Sequence, residues 1–312
     1  MSSITIYCPT CGSVLDPAPD PDHIPVCPQC SPAPYSAPSH SGSEDQPRLW
    51  GVGTGFFVWF ASVALTIGLP IFFGIAYLVL RMLQTGQQPN LRAMSEDVGF
   101  ILVTVGATFP AHLLILLICW LVVTSRGRRP FWRTLGWEWF PQFKWVHAVG
   151  LAFLMFGAAI VFQKLLPHRE TDLEKLLLRG YSVRLMIAVL AVATAPLVEE
   201  VVYRGVLYGG IERTYGKMAA VLVVTFLFAG VHAQQYWGSV ASLAAIFLLS
   251  LVLTTLRAWT GKLLPCVATH LVYNGIQAAI LLLAQDEAVK SQPDQAALMI
   301  IWQILGLEGI GP

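Results

Sequence analysis

Apolar runs about as long as a membrane is thick recur along this chain from Trp50 almost to the C-terminus. An α-helix needs roughly 20 residues to cross about 30 Å of hydrocarbon, and in lipid it bonds its own backbone polar groups. The composition agrees, because 55% of the residues are hydrophobic, only 12% are charged, and the mean hydropathy is +0.64. These values argue against a soluble globule. We therefore predict an all-α fold, a polytopic transmembrane helical bundle.

Breaks between the apolar runs predict about seven spans. The predicted spans cover residues 54–80, 98–123, 146–166, 183–207, 217–235, 239–257 and 263–284, within a transmembrane domain of residues 50–312. A further apolar stretch near residues 300–309 is too short to span, and we expect it at the membrane interface or packed on the bundle.

The loop between the second and third spans is rich in basic and aromatic residues, a pattern typical of the cytoplasmic side. Its basic residues are Arg126, Arg128, Arg129, Arg133 and Lys144. The segment 164–184 also holds five basic residues, mixed with acidic ones, which weakens the contrast between the two sides. We predict an integral protein of the plasma membrane with a cytoplasmic N-terminus. A formal net charge of +1 gives no reason to expect a nucleic-acid partner.

The first 48 residues differ in character from the rest, with four cysteines followed by a Pro/Ser-rich stretch. The cysteines are Cys8, Cys11, Cys27 and Cys30, and their C-x2-C-x15-C-x2-C spacing is typical of a four-cysteine zinc site. We predict a small zinc ribbon over residues 1–32, a flexible linker over 33–49, and a protein partner for the ribbon. Two disulfides are the alternative, and His23 could replace one cysteine as a ligand.

Ionisable side chains within apolar spans cost several kcal/mol, so they need a partner or a function. In the fourth span, Glu200 and Arg204 stand four residues apart and should pair on one helical face. Glu199 lies about 100° around the helix and stays free to face a cavity. A buried network that only locks helices together would produce the same pattern.

Two later spans carry further polar pairs at the same spacing. Phe228 and His232 lie four residues apart in the fifth span, and His270 and Asn274 lie four apart in the seventh. His112 and His147 belong to no such pair, and we interpret them as structural or interfacial.

The motifs E-E-x-x-x-R, F-x-x-x-H and H-x-x-x-N, in this order on successive apolar segments, resemble those of the CPBP family of intramembrane proteases. This family includes the type II CAAX prenyl endopeptidases and the bacteriocin-immunity relatives grouped as Abi proteins. The resemblance covers residues 180–285. It implies an intramembrane endopeptidase that hydrolyses a peptide bond of a membrane-associated or lipidated protein or peptide.

The resemblance also implies roles for individual residues. Glu199 and His232 would activate a water molecule, and His270 and Asn274 would stabilise the tetrahedral oxyanion. Glu200 and Arg204 would give structural support. A metalloprotease version, in which Glu199 or Glu200 binds catalytic zinc with the two histidines, stays open.

Three alternatives remain. A scaffold without catalytic activity or a bacteriocin self-immunity factor could use the same helical core. A small-molecule transporter would line its pathway with these charges, although the spans lack an evident inverted repeat.

Straight helices would leave His232 and His270 about 10 to 15 Å apart in depth. A shared site therefore requires irregular helices, for which Pro196, Gly230 and Pro265 are candidate positions.

Overall fold

The computed structural model describes residues 6–7, 11–15, 30, 49–88, 90–94 and 96–283 of the chain. The chain divides into two compact units, Met1–Arg48 and Leu49–Pro312. The described residues of the first unit include two short antiparallel strands, β1 (Ile6–Tyr7) and β2 (Val14–Leu15), with Ile6 paired to Leu15 and Tyr7 to Val14.

The described part of the second unit is helical. Its elements are α1 (Val52–Thr85), α2 (Leu91–Met94), α3 (Val98–Gly106), α4 (Thr108–Val123), α5 (Phe131–Leu135), α6 (Trp145–Leu165), α7 (Asp172–Leu177), α8 (Tyr181–Val189), α9 (Ala195–Glu200), α10 (Tyr208–His232), α11 (Val240–Thr260) and α12 (Leu264–Leu283). Two π-helical segments, π1 (Leu190–Thr194) and π2 (Val201–Leu207), lie on either side of α9. The predicted all-α bundle is thus confirmed.

Six helices of the described chain are long and apolar enough to cross a membrane, fewer than the seven spans predicted. They are Val52–Thr85, Val98–Val123, Trp145–Leu165, Tyr181–His232, Val240–Thr260 and Leu264–Leu283. The difference arises because the predicted span 183–207 and most of the span 217–235 belong to one element, Tyr181–His232, in which two helical arms are joined across a non-helical residue.

That long element folds back on itself at Gly216, whose φ of 82° and ψ of 172° are not helical. The Arg204 guanidinium lies 4.6 Å from the centre of the Phe228 ring, although each residue is 12 positions from Gly216. Twelve helical residues span about 18 Å, so this contact requires two antiparallel arms. Glycine is nearly alone in tolerating such a backbone conformation. The irregularity proposed at Gly230 is wrong, because Gly230 lies inside the helical second arm.

The core of the bundle is centred on π2, all seven of whose residues are buried. Helix α1 packs along π2 and α10, and α12 packs against α6 and α11. Gly55 allows α1 to approach π2 closely, because a Cβ at this position would lie 3.4 Å from the Leu207 Cα. The segment that carries the predicted charged pair is therefore enclosed by neighbouring helices.

The turn between α11 and α12 is covered by the segment that follows α5. Leu263 donates its backbone N–H to the Gly136 carbonyl at 2.8 Å, and Arg257 donates to the Leu135 carbonyl at 3.0 Å. Lys262 also pairs with Glu138, and this hydrogen bond lowers the pKa of the Glu138 carboxyl. These contacts fix the point at which α12 enters the bundle.

Candidate active site

Pro196 explains why Glu199 and Glu200 lie between two π-helical segments. At the end of π1, Ala195 donates its N–H to the Leu190 carbonyl five residues earlier. In this register residue 196 would donate to Ala191, but proline has no N–H. Asn274 supplies the missing donor, because its Nδ2 lies 2.9 Å from the Ala191 carbonyl oxygen. Of the proposed irregularities, the one at Pro196 is confirmed.

The π2 segment carries Arg204, which is fully buried beside Glu200. Arg204 Nη1 donates to Glu200 Oε1 at 2.8 Å, so the predicted ion pair is present. The other guanidinium nitrogens donate to α11, from Nε to Thr254 Oγ1 at 3.2 Å and from Nη2 to Ser250 Oγ at 3.0 Å. These bonds join the two helices through polar groups without exposing them to lipid.

Glu200 in turn orients His270, since His270 Nδ1 lies 2.8 Å from Glu200 Oε1. A carboxylate only accepts, so Nδ1 carries the proton. His270 Nε2 lies 3.7 Å from Glu199 Oε2. The His270 ring is only 2% exposed, whereas the side chain of Glu199 is 24% exposed. The ring therefore lies between an enclosed carboxylate and one that substrate can approach.

His232 approaches Glu199 from the second arm of the fold-back. His232 Nδ1 donates to the Phe228 carbonyl at 2.7 Å, which leaves Nε2 to face Glu199 Oε1 at 3.9 Å. The imidazole stacks on the Phe228 ring with a centroid separation of 4.5 Å. Phe228 also meets His270 edge-on at 6.2 Å, so one aromatic ring contacts both imidazoles.

Glu199 thus has one imidazole nitrogen opposite each of its oxygens. In neutral rings both Nε2 atoms would carry lone pairs, because each Nδ1 is already a donor. Three acceptors facing one another require a proton or a water molecule between them, and gaps of 3.7 and 3.9 Å exceed a direct hydrogen bond. The arrangement is suited to holding a water and accepting its proton.

The predicted difference in depth between the two histidines does not prevent a shared site. His270 Nε2 lies 3.7 Å from Glu199 Oε2, and His232 Nε2 lies 3.9 Å from Glu199 Oε1, so the two rings reach the same carboxylate. His270 Nδ1 also lies 2.8 Å from Glu200 Oε1, which fixes the His270 ring against the helix that carries both glutamates.

Asn274 occupies a different position from the one its predicted role suggests. Its amide is directed at the Ala191 carbonyl of π1, as described above. A carboxamide nitrogen has two hydrogens, so one donor remains for another acceptor. Its role in oxyanion binding stays a prediction.

Two neighbours of the site were missed by the motif pattern. His112 Nδ1 lies 2.8 Å from Thr194 Oγ1 at the end of π1, and His112 is within electrostatic range of Glu199. Tyr236 follows His232 by four residues and is also within range of Glu199; burial raises the pKa of its phenol. The only sequence signal for His112 was its position as an ionisable residue inside an apolar span.

Metal ligation receives no support from the described residues, among which no group of three or more His, Cys, Asp or Glu side chains is arranged to hold an ion. Of the predicted zinc ligands, Cys8 and Cys27 lie outside the described residues. Cys11 and Cys30 are exposed. The zinc ribbon and the catalytic zinc both stay predictions. The expected interfacial position of residues 300–309 also stays a prediction, because this stretch lies outside the described residues.

Residues 181–276 match the sequence model of the family described as type II CAAX prenyl endopeptidase Rce1-like. The match begins with α8 and ends within α12, so it includes Glu199, His232, His270 and Asn274. It does not reach the N-terminal cysteines. No curated protein and no solved structure matches the chain. The similarity and the apolar helices together support an integral membrane protein related to a protease family.

Proposed function

We propose that this protein is an intramembrane endopeptidase that hydrolyses a peptide bond of a membrane-associated or lipidated protein or peptide. The observation that carries the proposal is the approach of His232 and His270 to opposite oxygens of the partly exposed Glu199 carboxylate. The match to the CAAX endopeptidase family over these same residues supports the reaction type.

In the proposed mechanism Glu199 is the general base. It removes a proton from a water held between its carboxylate and His232 Nε2, and the resulting hydroxide attacks the peptide carbonyl. Glu199 then returns the proton to the leaving amine, which completes the hydrolysis. His232 is suited to orienting this water because its Nδ1 is fixed on the Phe228 carbonyl.

The developing oxyanion requires donors, and we assign these to His270 and Asn274. His270 Nδ1 is engaged with Glu200, so Nε2 donates only when the ring is protonated. Glu200 stabilises that imidazolium, and Arg204 keeps the Glu200 carboxylate in place. Asn274 contributes the amide hydrogen that does not bond Ala191. Because the site is largely enclosed by helices, hydrogen bonds from His270 and Asn274 to the oxyanion stabilise the transition state more than they would in water.

A metal-dependent version uses the same donors. Glu199, His232 and His270 are ligand types that suit zinc, and both Nε2 atoms face the carboxylate. Bound zinc would supply a Lewis acid and lower the pKa of its water. The hydrogen bonds from Nδ1 to Phe228 and Glu200 would orient the two rings in this version as well.

For the N-terminal unit we propose a structural zinc site of Cys8, Cys11, Cys27 and Cys30 that docks a protein partner. The pairing of β1 with β2 closes a short hairpin, and Cys11 lies in its connection. Gly12, with φ of 74°, supplies the left-handed residue that a tight cysteine turn needs. The basic loop after α4 favours a cytoplasmic N-terminus in the plasma membrane, where thiols remain reduced.

Peptide cleavage by the purified protein tests the function. The protein in lipid vesicles is incubated with C-terminal C-a-a-X peptides, with and without a prenyl group, and the products are identified by mass spectrometry. We expect cleavage that His232→Ala abolishes. His147→Ala is the matched control, because His147 lies at the exposed start of α6.

Preference for the prenylated peptide would identify the substrate class, and equal cleavage would extend it to unlipidated peptides. Cleavage that survives in His232→Ala would contradict the mechanism. A folded wild-type protein that cleaves neither peptide, yet binds one, would favour the scaffold or immunity alternative.

A further inference from the structure

We propose that His112 is a positioning residue of the active site: through Thr194 it holds the joint between π1 and α9, and thereby the carboxylate of Glu199. This inference rests on the proposed function for its catalytic consequence. The structural part, a brace on the helix that carries Glu199, stands independently.

The brace is a direct contact between distant parts of the chain. His112 lies in α4 with 7% of its surface exposed, and its Nδ1 is 2.8 Å from Thr194 Oγ1. The two residues are separated by 82 positions in sequence. An imidazole buried in an apolar bundle is costly without a partner, and a leucine would fill the space more cheaply. Packing alone therefore does not account for a histidine at this position.

Thr194 lies at an irregular joint of the helix that carries Glu199. Its φ of −122° and ψ of −43° depart from helical values, at the change from π1 to α9. The same hydroxyl lies 3.4 Å from the Leu190 carbonyl, a weak bond at most. His112 is thus the stronger partner of a side chain at an irregular joint. Five residues later the helix presents Glu199.

Asn274 braces the other part of π1 through the Ala191 carbonyl. Two contacts from different helices, α4 and α12, therefore hold a segment whose own hydrogen bonding is interrupted by Pro196. If either contact were lost, π1 could return to ordinary α-helical hydrogen bonding. A change from five-residue to four-residue bonding would rotate Glu199 about the helix axis and away from the histidines.

Three variants separate bracing from packing. His112→Phe removes the contact and keeps an aromatic ring, Thr194→Val removes it from the other side, and His112→Asn places an amide near the position of Nδ1. We expect kcat to fall about 10- to 100-fold in His112→Phe and Thr194→Val with little change in KM, because small displacements at a reacting centre have effects of this size. His112→Asn should recover most of the activity.

Further measurements exclude a loss of folded protein as the cause. The double variant His112→Phe, Thr194→Val should be no slower than the slower single variant, since both remove one contact. The pH profile of kcat/KM should shift, because the distance from Glu199 to its imidazoles changes. Thr225→Val is the control, since the buried Thr225 hydroxyl has no hydrogen-bond partner in the described part of the chain, and it should leave rate and profile unchanged.

Hydrogen exchange of the amides in residues 190–200 tests the brace without using activity. We expect faster exchange in His112→Phe than in Thr225→Val. Faster exchange in a protein that cleaves no peptide would sustain the brace and reject the proposed function. Unchanged exchange in His112→Phe, or a wild-type pH profile in a cleaving His112→Phe variant, would overturn the proposal.

Discussion

The fully buried carboxylate of Glu200 shows how the site is built from single residues. Its Oε1 accepts from both Arg204 and His270, whereas its Oε2 has no hydrogen-bond partner among the described residues. Two donors on one oxygen place the charge between the arginine and the imidazole. Glu200 is therefore suited to orienting His270 and, being 0% exposed, cannot meet a substrate directly.

Replacing Glu200 with Gln should destabilise the protein by about 3 to 5 kcal/mol, because Arg204 would keep its charge in a buried position without a counterion. Chemical denaturation in mild detergent measures the loss. Glu138→Gln serves as the comparison, since Glu138 is exposed and pairs with Lys262 at the surface. Equal midpoints for Glu200→Gln and Glu138→Gln would show that the buried pair contributes little.

For individual residues, the sequence predicted contacts within one helical turn but missed contacts between residues that are far apart in the chain. The spacing of four residues predicted the contact between Glu200 and Arg204, and the ring stack of Phe228 on His232 follows from the same spacing. His112 was interpreted as structural or interfacial because it belongs to none of the polar motifs. Its partner Thr194 becomes visible only when α4 packs against π1.

Among the elements, π1 and π2 distinguish this bundle from a set of straight helices. Proline predicts an interruption, but it does not predict whether a helix kinks, ends or widens. The outcome here depends on Asn274, which supplies the Ala191 carbonyl with the donor that Pro196 lacks. Such compensation depends on α12, about 80 residues away, and so escapes any local pattern.

A double-variant cycle tests this compensation. Asn274→Ala should cost about 1 to 3 kcal/mol of folding free energy, because it leaves the partly buried Ala191 carbonyl without its side-chain donor. In a Pro196→Ala background a backbone N–H becomes available, so the same change should cost less. Chemical denaturation of the wild type, the two single variants and the double variant gives the coupling free energy between Asn274 and Pro196. Strictly additive effects would mean that Asn274 does not compensate for Pro196.

The fold-back at Gly216 is the element that brings His232 to Glu199. Gly216→Ala should destabilise the protein by about 1 to 3 kcal/mol, since alanine tolerates this backbone conformation poorly. No atom of residues 49–88, 90–94 or 96–283 outside the immediate backbone lies within 4 Å of the added Cβ, so the expected effect comes from the backbone conformation. We also expect slower peptide cleavage as the second arm shifts.

Gly157→Ala provides the matched comparison, because Gly157 lies within α6 and its Cβ would also meet open space. It should be neutral or stabilising, in keeping with the higher helix propensity of alanine. Thermal unfolding and initial rates of both variants decide the matter. A Gly216→Ala protein as stable and active as Gly157→Ala would contradict the role given to the fold-back.

For the whole molecule, hydrophobic length predicted the fold class because the membrane leaves few alternatives for apolar runs of this size. The fourth and fifth predicted runs correspond to two arms of one element that folds back at Gly216, a connection that the apolar pattern did not show. The depth of His270 was also beyond prediction. The α11–α12 turn, from which α12 starts, is hydrogen-bonded to Leu135 and Gly136, about 125 positions away in sequence.

Metal content distinguishes the two predicted zinc sites. We expect one zinc per full-length protein and none in a form lacking residues 1–48, because the four cysteines lie in that segment. Elemental analysis after purification without added metal measures both forms. Stoichiometric zinc in the truncated form would instead place a metal at Glu199 and its histidines.

The most direct test of the central claim is the cleavage rate of Glu199→Gln in vesicles against that of wild type. The account predicts a fall of at least about 100-fold, because a carboxamide cannot accept the proton of the attacking water. Glu212→Gln, which changes a carboxylate beside Tyr208 on the same long element, should keep nearly the wild-type rate. A Glu199→Gln protein that cleaves as fast as wild type would contradict the account.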